Sequence, residues 1–218
     1  TFCVDHHISN QNFADANYIF PEASSTCELV YELIDEEKIT KEIAECIYVG
    51  IVHDSGVFQY SCTSPETMEV GAALLRKGIN GSAIIDGTYF EKSYVQNQML
   101  GKALLESMMI LNKKAVVSVI RLKEMEFFQA KPSDLEGIVS QMRQTKGVEV
   151  AMFLHETAPQ TFKVSLRSKE RVDVSRIAKY FGGGGHVRAA GVTMKGSVHD
   201  VINNLTALIE KQLDEKIE

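Results

Sequence analysis

The chain has 218 residues, 44% of them hydrophobic and 24% charged, enough for one large domain or two modest ones with cores of their own. A formal net charge of −6 argues against a general nucleic-acid coat, which needs a broad basic face, but leaves room for a small anion held in a local basic pocket. Cys3, Cys27, Cys46 and Cys62 form no CxxC pair. They therefore predict four buried free thiols in a reducing compartment, with no zinc knuckle and no redox motif.

No signal peptide or bilayer-spanning apolar run is apparent, so the expected location is the cytoplasm, without a membrane partner. Residues 1–4 read as a buried strand delivering Asp5, His6 and His7 at its carboxyl end, where α/β sheets bind ligands. An opening at Thr1, in mid-strand and without methionine, predicts further sequence upstream. The stretch "EASSTCELVYELIDEEK" then has a helix start, with Ser25 and Glu28 at capping-box spacing. In "TKEIAECIYVGIVHDSG", Thr40 is the expected N-cap, and Ile43, Ile47, Gly50, Ile51 and Asp54 share one helical face. That spacing puts the Asp54 carboxylate on the interior side at a helix end, where it needs a compensating partner. A third helix opens at Ser64-Pro65 and closes at Gly78.

A fourth helical pattern runs from about Glu91 to Leu111, its apolar face made by Val95, Met99, Leu100, Leu104, Met108 and Leu111. Beyond Asn112-Lys113-Lys114 the texture changes. "AVVSVIRL", "VEVAMFLHE", "TFKVSLRS" and "AAGVTMKG" read as strands, while "LEGIVSQMRQTKG", "VSRIAKYF" and residues 200–213 read as helices. The domain boundary is expected near residues 109–115, giving 1–110 and 111–218, with a helical connector between two α/β lobes.

Two constellations could carry chemistry. The first is Asp5-His6-His7 with Asp54. Imidazole with carboxylate suits manganese, zinc or iron, whereas carboxylates alone would favour magnesium. Against this stands a surface turn with two solvated histidines. The second is "KYFGGGGHVRAAG", in which Gly182 to Gly185 strip side chains from a turn so that backbone N–H groups can approach an anion. A flexible linker is the alternative, although linkers usually mix in serine and run longer. Between Lys163 and Lys195 eight bases face only two acids, and "SLRS" sets Arg167 between two hydroxyls. A solvated basic face competes there with a focused anion pocket.

"VDHHISN", "GIVHDSGVF" and "FGGGGHVRAAG", in this order, resemble the DHH phosphoesterases that carry a DHH-associated C-terminal domain, over nearly the whole chain. "VSLRS" ahead of the glycine run is similar to the nanoRNase/pAp phosphatase branch. The resemblance implies two lobes, a parallel-sheet catalytic domain and a smaller mixed-sheet substrate-binding domain closing a cleft. It implies hydrolysis of short oligoribonucleotides or of 3′-phosphoadenosine 5′-phosphate by in-line water attack at two manganese ions, with magnesium or cobalt as substitutes.

By the same resemblance His6 and Asp54 are metal ligands, His7 contacts the scissile phosphate or the attacking water, and Asp5 orients a histidine. Arg167, Ser168, Gly183, Gly184 and His186 hold the nucleotide. The family's upstream His-x-x-x-Asp-x-Asp motif and a further bridging aspartate do not occur before Asp5, so at most half of a two-metal site is expected within these residues. A homodimer is compatible with the resemblance. Exopolyphosphatase or cyclic-dinucleotide phosphodiesterase activity belongs to the same family. A non-catalytic RNA-binding module is the reading from another class, because a similar glycine-His domain is attached to alanyl-tRNA synthetases, but such a module has no need of Asp5-His6-His7 with Asp54.

Overall fold

A computed structural model describes residues 1–8 and 10–214. They form two compact units, Thr1–Glu91 and Lys92–Glu218. In the first, β1 (Phe2–Asp5) pairs in parallel with β2 (Ala16–Ile19). Four helices follow: α1 (Thr26–Leu33), α2 (Lys41–Asp54), α3 (Pro65–Arg76) and the short α4 (Gly81–Ile85), which runs into a π-helical turn over Asp86–Phe90. β1 is not the buried strand expected, since Phe2 is 61% exposed.

The caps explain where these helices start. Thr40 accepts from the Ile43 N–H, and Ser64 and Thr67 form a reciprocal capping box ahead of Pro65. Ser25 caps α1 as its spacing predicts, but the Glu28 carboxylate reaches past it to the N–H and hydroxyl of Ser24. Ile47, Ile51 and Val52 of α2 pack with Leu74 of α3 and Ile39 as the core of this unit. Gly50 lets α1 and α2 approach, because a Cβ there would meet Cys27 Sγ at 2.1 Å.

The second unit opens with α5 (Tyr94–Leu105), capped by Ser93 and Gln96. The helical pattern expected to continue to Leu111 ends at Leu105. Met108–Ile110 instead forms β3, antiparallel to β4 (Ala115–Ile120), across a turn in which Leu111, Asn112 and Lys113 all have positive φ. Three apolar residues in a row fit an edge strand as well as a helix face, and this turn decides between them. Met99 and Ala103 of α5 are fully buried in the core of the second unit. The compact units therefore divide at Glu91/Lys92, whereas the sequence pattern placed the boundary near 109–115 and read this helix as a connector.

The chain continues through α6 (Leu122–Phe127), α7 (Ile138–Arg143), β5 (Val150–Ala158) and β6 (Thr161–Ser168). It ends with α8 (Val174–Tyr180), β7 (Gly184–His186), β8 (Ala189–Lys195) and α9 (Val198–Asp214). The mixed sheet has the order β3-β4-β5-β6-β8-β7, with only β4 and β5 parallel. One core packs α8 and α9 on Leu154, Phe162, Val164 and Leu166, and the other packs α5 and α7 on Val116, Ile120 and Phe153. Glu149 fastens the loop after β6 by accepting from the N–H groups of Glu170, Arg171 and Val172.

The four cysteines are free, as their spacing predicts, but not buried: Cys46 is exposed and the other three are half-buried. No helix among the described residues is long and apolar enough to cross a membrane.

Candidate functional site

The end of β1 and the end of α2 meet in the first unit. His6 Nδ1 lies 3.2 Å from the Ala23 carbonyl, and its Nε2 lies 3.7 Å from Asp54 Oδ2. A carbonyl can only accept, so Nδ1 carries a proton and Nε2 is the ring nitrogen directed at the carboxylate oxygen. With Nε2 unprotonated, the pair offers one nitrogen and one oxygen donor that could hold a cation between them. Asp54 is less interior than its helical face suggested, with a side chain 49% exposed against 20% for His6. Among the described residues no third His, Cys, Asp or Glu completes a ligand cluster with them.

Asp5 serves the other histidine. Its Oδ1 accepts from His7 Nδ1 at 2.6 Å and from the His7 backbone N–H at 3.1 Å, while Oδ2 accepts from Asn10 Nδ2 at 2.6 Å. The Asn10 amide first, and His7 after it, hold the Asp5 carboxyl far below the usual carboxylate range. Asp5 therefore stays ionised and fixes His7 through Nδ1, leaving Nε2 to face outward. The rings of His6 and His7 meet edge to face, with centroids 4.8 Å apart.

Sequence reasoning missed Asn10 and the Ala23 carbonyl. It also missed what Glu28 does: 4% exposed, it accepts from Ser24 N–H at 3.0 Å, from the Ser24 hydroxyl at closer range and from Thr67 Oγ1 at 2.9 Å. Glu28 thereby pins the residue next to Ala23, whose carbonyl sets the His6 ring. The only sequence signal was a glutamate one turn into a helix, and that reads equally well as a cap.

In the second unit the strand register sorts the remaining predicted residues. Directly paired residues share a sheet face. Arg167 pairs with Ala189, which pairs with His186; Ser165 pairs with Gly191, which pairs with Gly184. Arg167, Ser165, Gly184 and His186 thus lie on one face, floored by Ala189 and Gly191. Ser168 falls on the other. It is fully buried and donates to the Val187 carbonyl at 3.4 Å, so it braces the β7–β8 hairpin and is not a nucleotide contact.

The glycine run is also not the anion-binding turn expected. Gly182 and Gly183 donate their N–H groups to the Lys179 and Ala178 carbonyls at 3.0 and 2.8 Å, and Gly184 to His186 form an edge strand. Two of the N–H groups that would converge on an anion, those of Gly182 and Gly183, are thus spent closing α8. A Cβ at Gly183 would meet the Gly191 carbonyl oxygen at 2.3 Å, and one at Gly185, where φ is +142°, would meet the Ala189 oxygen at 2.5 Å. Packing therefore demands glycine at both positions. At Gly184 a Cβ would meet nothing within 4 Å. Its missing side chain leaves space on the open face beside Ser165, in the same sheet as Arg167 and His186.

These features define a protein of two α/β units: one presents a histidine–carboxylate pair, the other an open sheet face with arginine and histidine. The chain matches the DHH family, N-terminal domain, over residues 1–51 and the DHHA1 domain over residues 112–215. It belongs to the DHH family and carries a DHHA1 domain.

It is 33% identical over 196 residues to the bifunctional oligoribonuclease and PAP phosphatase NrnA of Thermus thermophilus, covering 88% of this chain and 58% of that protein. The NrnA of Bacillus subtilis is 27% identical, with 88% and 61% covered. Among solved structures, an exopolyphosphatase-related protein from Bacteroides fragilis superposes with a TM-score of 0.90 at 31% identity, covering 96% of this chain and 63% of that one. The chain thus spans about three-fifths of the length of the curated relatives it matches.

Proposed function

We propose that the protein is a metal-dependent phosphoesterase that hydrolyses short oligoribonucleotides, 3′-phosphoadenosine 5′-phosphate, or both. The observation that carries this reading is the His6–Asp54 pair, whose nitrogen and carboxylate oxygen face each other at 3.7 Å with the other ring nitrogen committed to Ala23. The likeness to the two NrnA proteins supports the substrate class.

His6 and Asp54 would supply one imidazole and one carboxylate to a divalent ion. That donor set suits manganese, with magnesium or cobalt as substitutes. Bound divalent ions supply a water of lowered pKa and neutralise charge building on phosphoryl oxygens. His7, held by Asp5 through Nδ1, offers Nε2 to the scissile phosphate or to the attacking water, and the ionised Asp5 keeps that tautomer in place. In the second unit Arg167 gives a charge-assisted contact to phosphate, and His186 flanks the space left open at Gly184. This unit contributes orientation, not bond chemistry.

Polyphosphate and cyclic dinucleotides remain the competing substrates. The side-chain-free space at Gly184 favours a nucleotide, because bare pyrophosphate has no bulk to fill it. The reading sets the protein to work in the cytoplasm on nucleotides, without a membrane. A panel of 3′-phosphoadenosine 5′-phosphate, a diribonucleotide, a cyclic dinucleotide and polyphosphate, assayed with manganese on the intact protein, tests it. Turnover of either of the first two well above the others is expected; turnover of polyphosphate alone would overturn the reading.

A further inference from the structure

Two of the four cysteines, far apart in sequence, meet beside the first unit's candidate site. On α2, Cys46, Gly50 and Asp54 follow one another at intervals of four residues, so they rise along one side of the helix. Cys27 of α1 lies over the middle of that row: a Cβ at Gly50 would collide with the Cys27 Cβ at 2.8 Å and, closer still, with its Sγ. Cβ atoms one helical turn apart are about 5–6 Å from each other, which puts the Cys27 sulfur within about 8 Å of the Cys46 Cβ. Gly50 has no side chain to stand between them.

Both thiols open into one groove of about 380 Å³, walled by Val30 and Ile34 on one side and Ile43 and Ile47 on the other. Cys46 is exposed and Cys27 half-buried. Burial first, then Asp54 and Cys46, raise the pKa of the Cys27 thiol, so Cys46 is the thiol that reacts first with a reagent from solvent. Cys27 also adjoins the supports of His6. Its neighbour Glu28 holds Ser24, and Ala23, next in the chain, turns its carbonyl to the His6 ring.

We propose that Cys27 and Cys46 form a thiol–disulfide switch acting on the His6–Asp54 pair, oxidised by an uncharged small disulfide. The apolar groove admits such a reagent, and Glu42, the one charged residue in its lining, repels an anionic one. The Cys46 thiolate attacks one sulfur of the reagent, forming a mixed disulfide and releasing one thiol. The Cys27 thiolate then attacks the Cys46 sulfur, closing the protein disulfide and releasing the second thiol. The two cysteine protons pass to the two leaving thiolates, and the two electrons lost by the protein sulfurs reduce the reagent. A disulfide sets its Cβ atoms about 3.5–4.5 Å apart, so closure draws Cys27 from Gly50 toward Cys46 and away from Asp54. Glu28 follows, and the Ala23 carbonyl leaves the His6 ring. This effect on a cation rests on the metal reading given above, whereas the cross-link does not.

The test treats the intact protein with 2-hydroxyethyl disulfide, maps its peptides by mass spectrometry and titrates it with manganese by electron paramagnetic resonance before and after. The expected result is a Cys27–Cys46 disulfide without retained reagent, and manganese binding weakened about tenfold, the lower end of the cost of disturbing a metal ligand's hydrogen-bond partner. Dithiothreitol should restore the affinity. Cys46→Ser, at an exposed position, should bind manganese equally before and after treatment. A lasting mixed disulfide on Cys46, no reaction at either thiol, or a cross-link that leaves manganese affinity unchanged overturns the switch while the metal reading stands. An equal loss of affinity in treated Cys46→Ser overturns it too. Failure of the reduced wild type to bind manganese overturns the metal reading, and the switch with it.

Discussion

Replacing Glu28 with alanine should damage the first unit twice over. The carboxylate is 4% exposed, and one oxygen, Oε2, receives the Ser24 N–H, the Ser24 hydroxyl and the Thr67 hydroxyl. A hydrogen bond to a charged group contributes about 1.5–3 kcal/mol, and bonds sharing one acceptor add incompletely. The three together support a loss of about 3–5 kcal/mol, because alanine also leaves three donors facing a void. Glu28→Gln keeps an acceptor oxygen and should cost about half as much. The second effect is on the proposed metal site. Ser24 is released, its neighbour Ala23 loses its fixed carbonyl, and the His6 ring is no longer locked with Nε2 toward Asp54. Urea denaturation followed by circular dichroism measures the first effect, with hydrogen exchange over residues 24–28 and 64–67 assigning it to this unit. Metal titration of the folded variant measures the second. A cost below about 1 kcal/mol, the ordinary level for a surface change, would refute the claim that Glu28 is a buried anchor.

The glycine run should divide by face: Gly183→Ala and Gly185→Ala destabilise the second unit in thermal melts, whereas Gly184→Ala melts like the wild type and loses nucleotide affinity. Arg167→Ala should weaken nucleotide binding by about 1.5–3 kcal/mol in a calorimetric titration, the range for a charge-assisted contact. Asn10→Ala removes the largest cause of the depressed Asp5 pKa, so Asp5 should titrate closer to its ordinary 3.8, read from its carboxyl carbon shift by NMR. A depressed carboxylate stabilises the fold fully above its unfolded pKa and loses that contribution as pH falls through the folded value. The wild-type Asp5–His7 contact should accordingly survive well below pH 3.8, and in Asn10→Ala it should fail nearer that pH.

Much of the second sheet was legible because alternation in "TFKVSLRS" reports burial directly: Phe162, Val164, Leu166 and Ser168 face the core, and the residues between them do not. Ser168 shows the limit of reading that motif for function. A hydroxyl beside an arginine suggests an anion contact, but strand period puts the two on opposite faces, which the same sequence already implied. The helix over residues 91–111 was overextended because Met108 and Leu111 continue a helical period that the positive-φ turn at Leu111–Lys113 breaks. Asp5, His6, His7 and Asp54 were legible from type and position, and the structure brings His6 to Asp54 and His7 to Asp5. Their supports were not. Asn10, the Ala23 carbonyl and the Glu28–Thr67 bond act between segments up to 39 residues apart, and no local period encodes that.

The central claim is that His6 and Asp54 bind one cation together. Titration of the intact protein with manganese, followed by the loss of the free-ion electron paramagnetic resonance signal, tests it in the wild type, His6→Ala, Asp54→Ala and the double variant. Shared coordination predicts that each single variant weakens the same binding event and that the double variant loses far less than the two single losses combined. Independent, additive losses, or manganese binding untouched by either substitution, would contradict it.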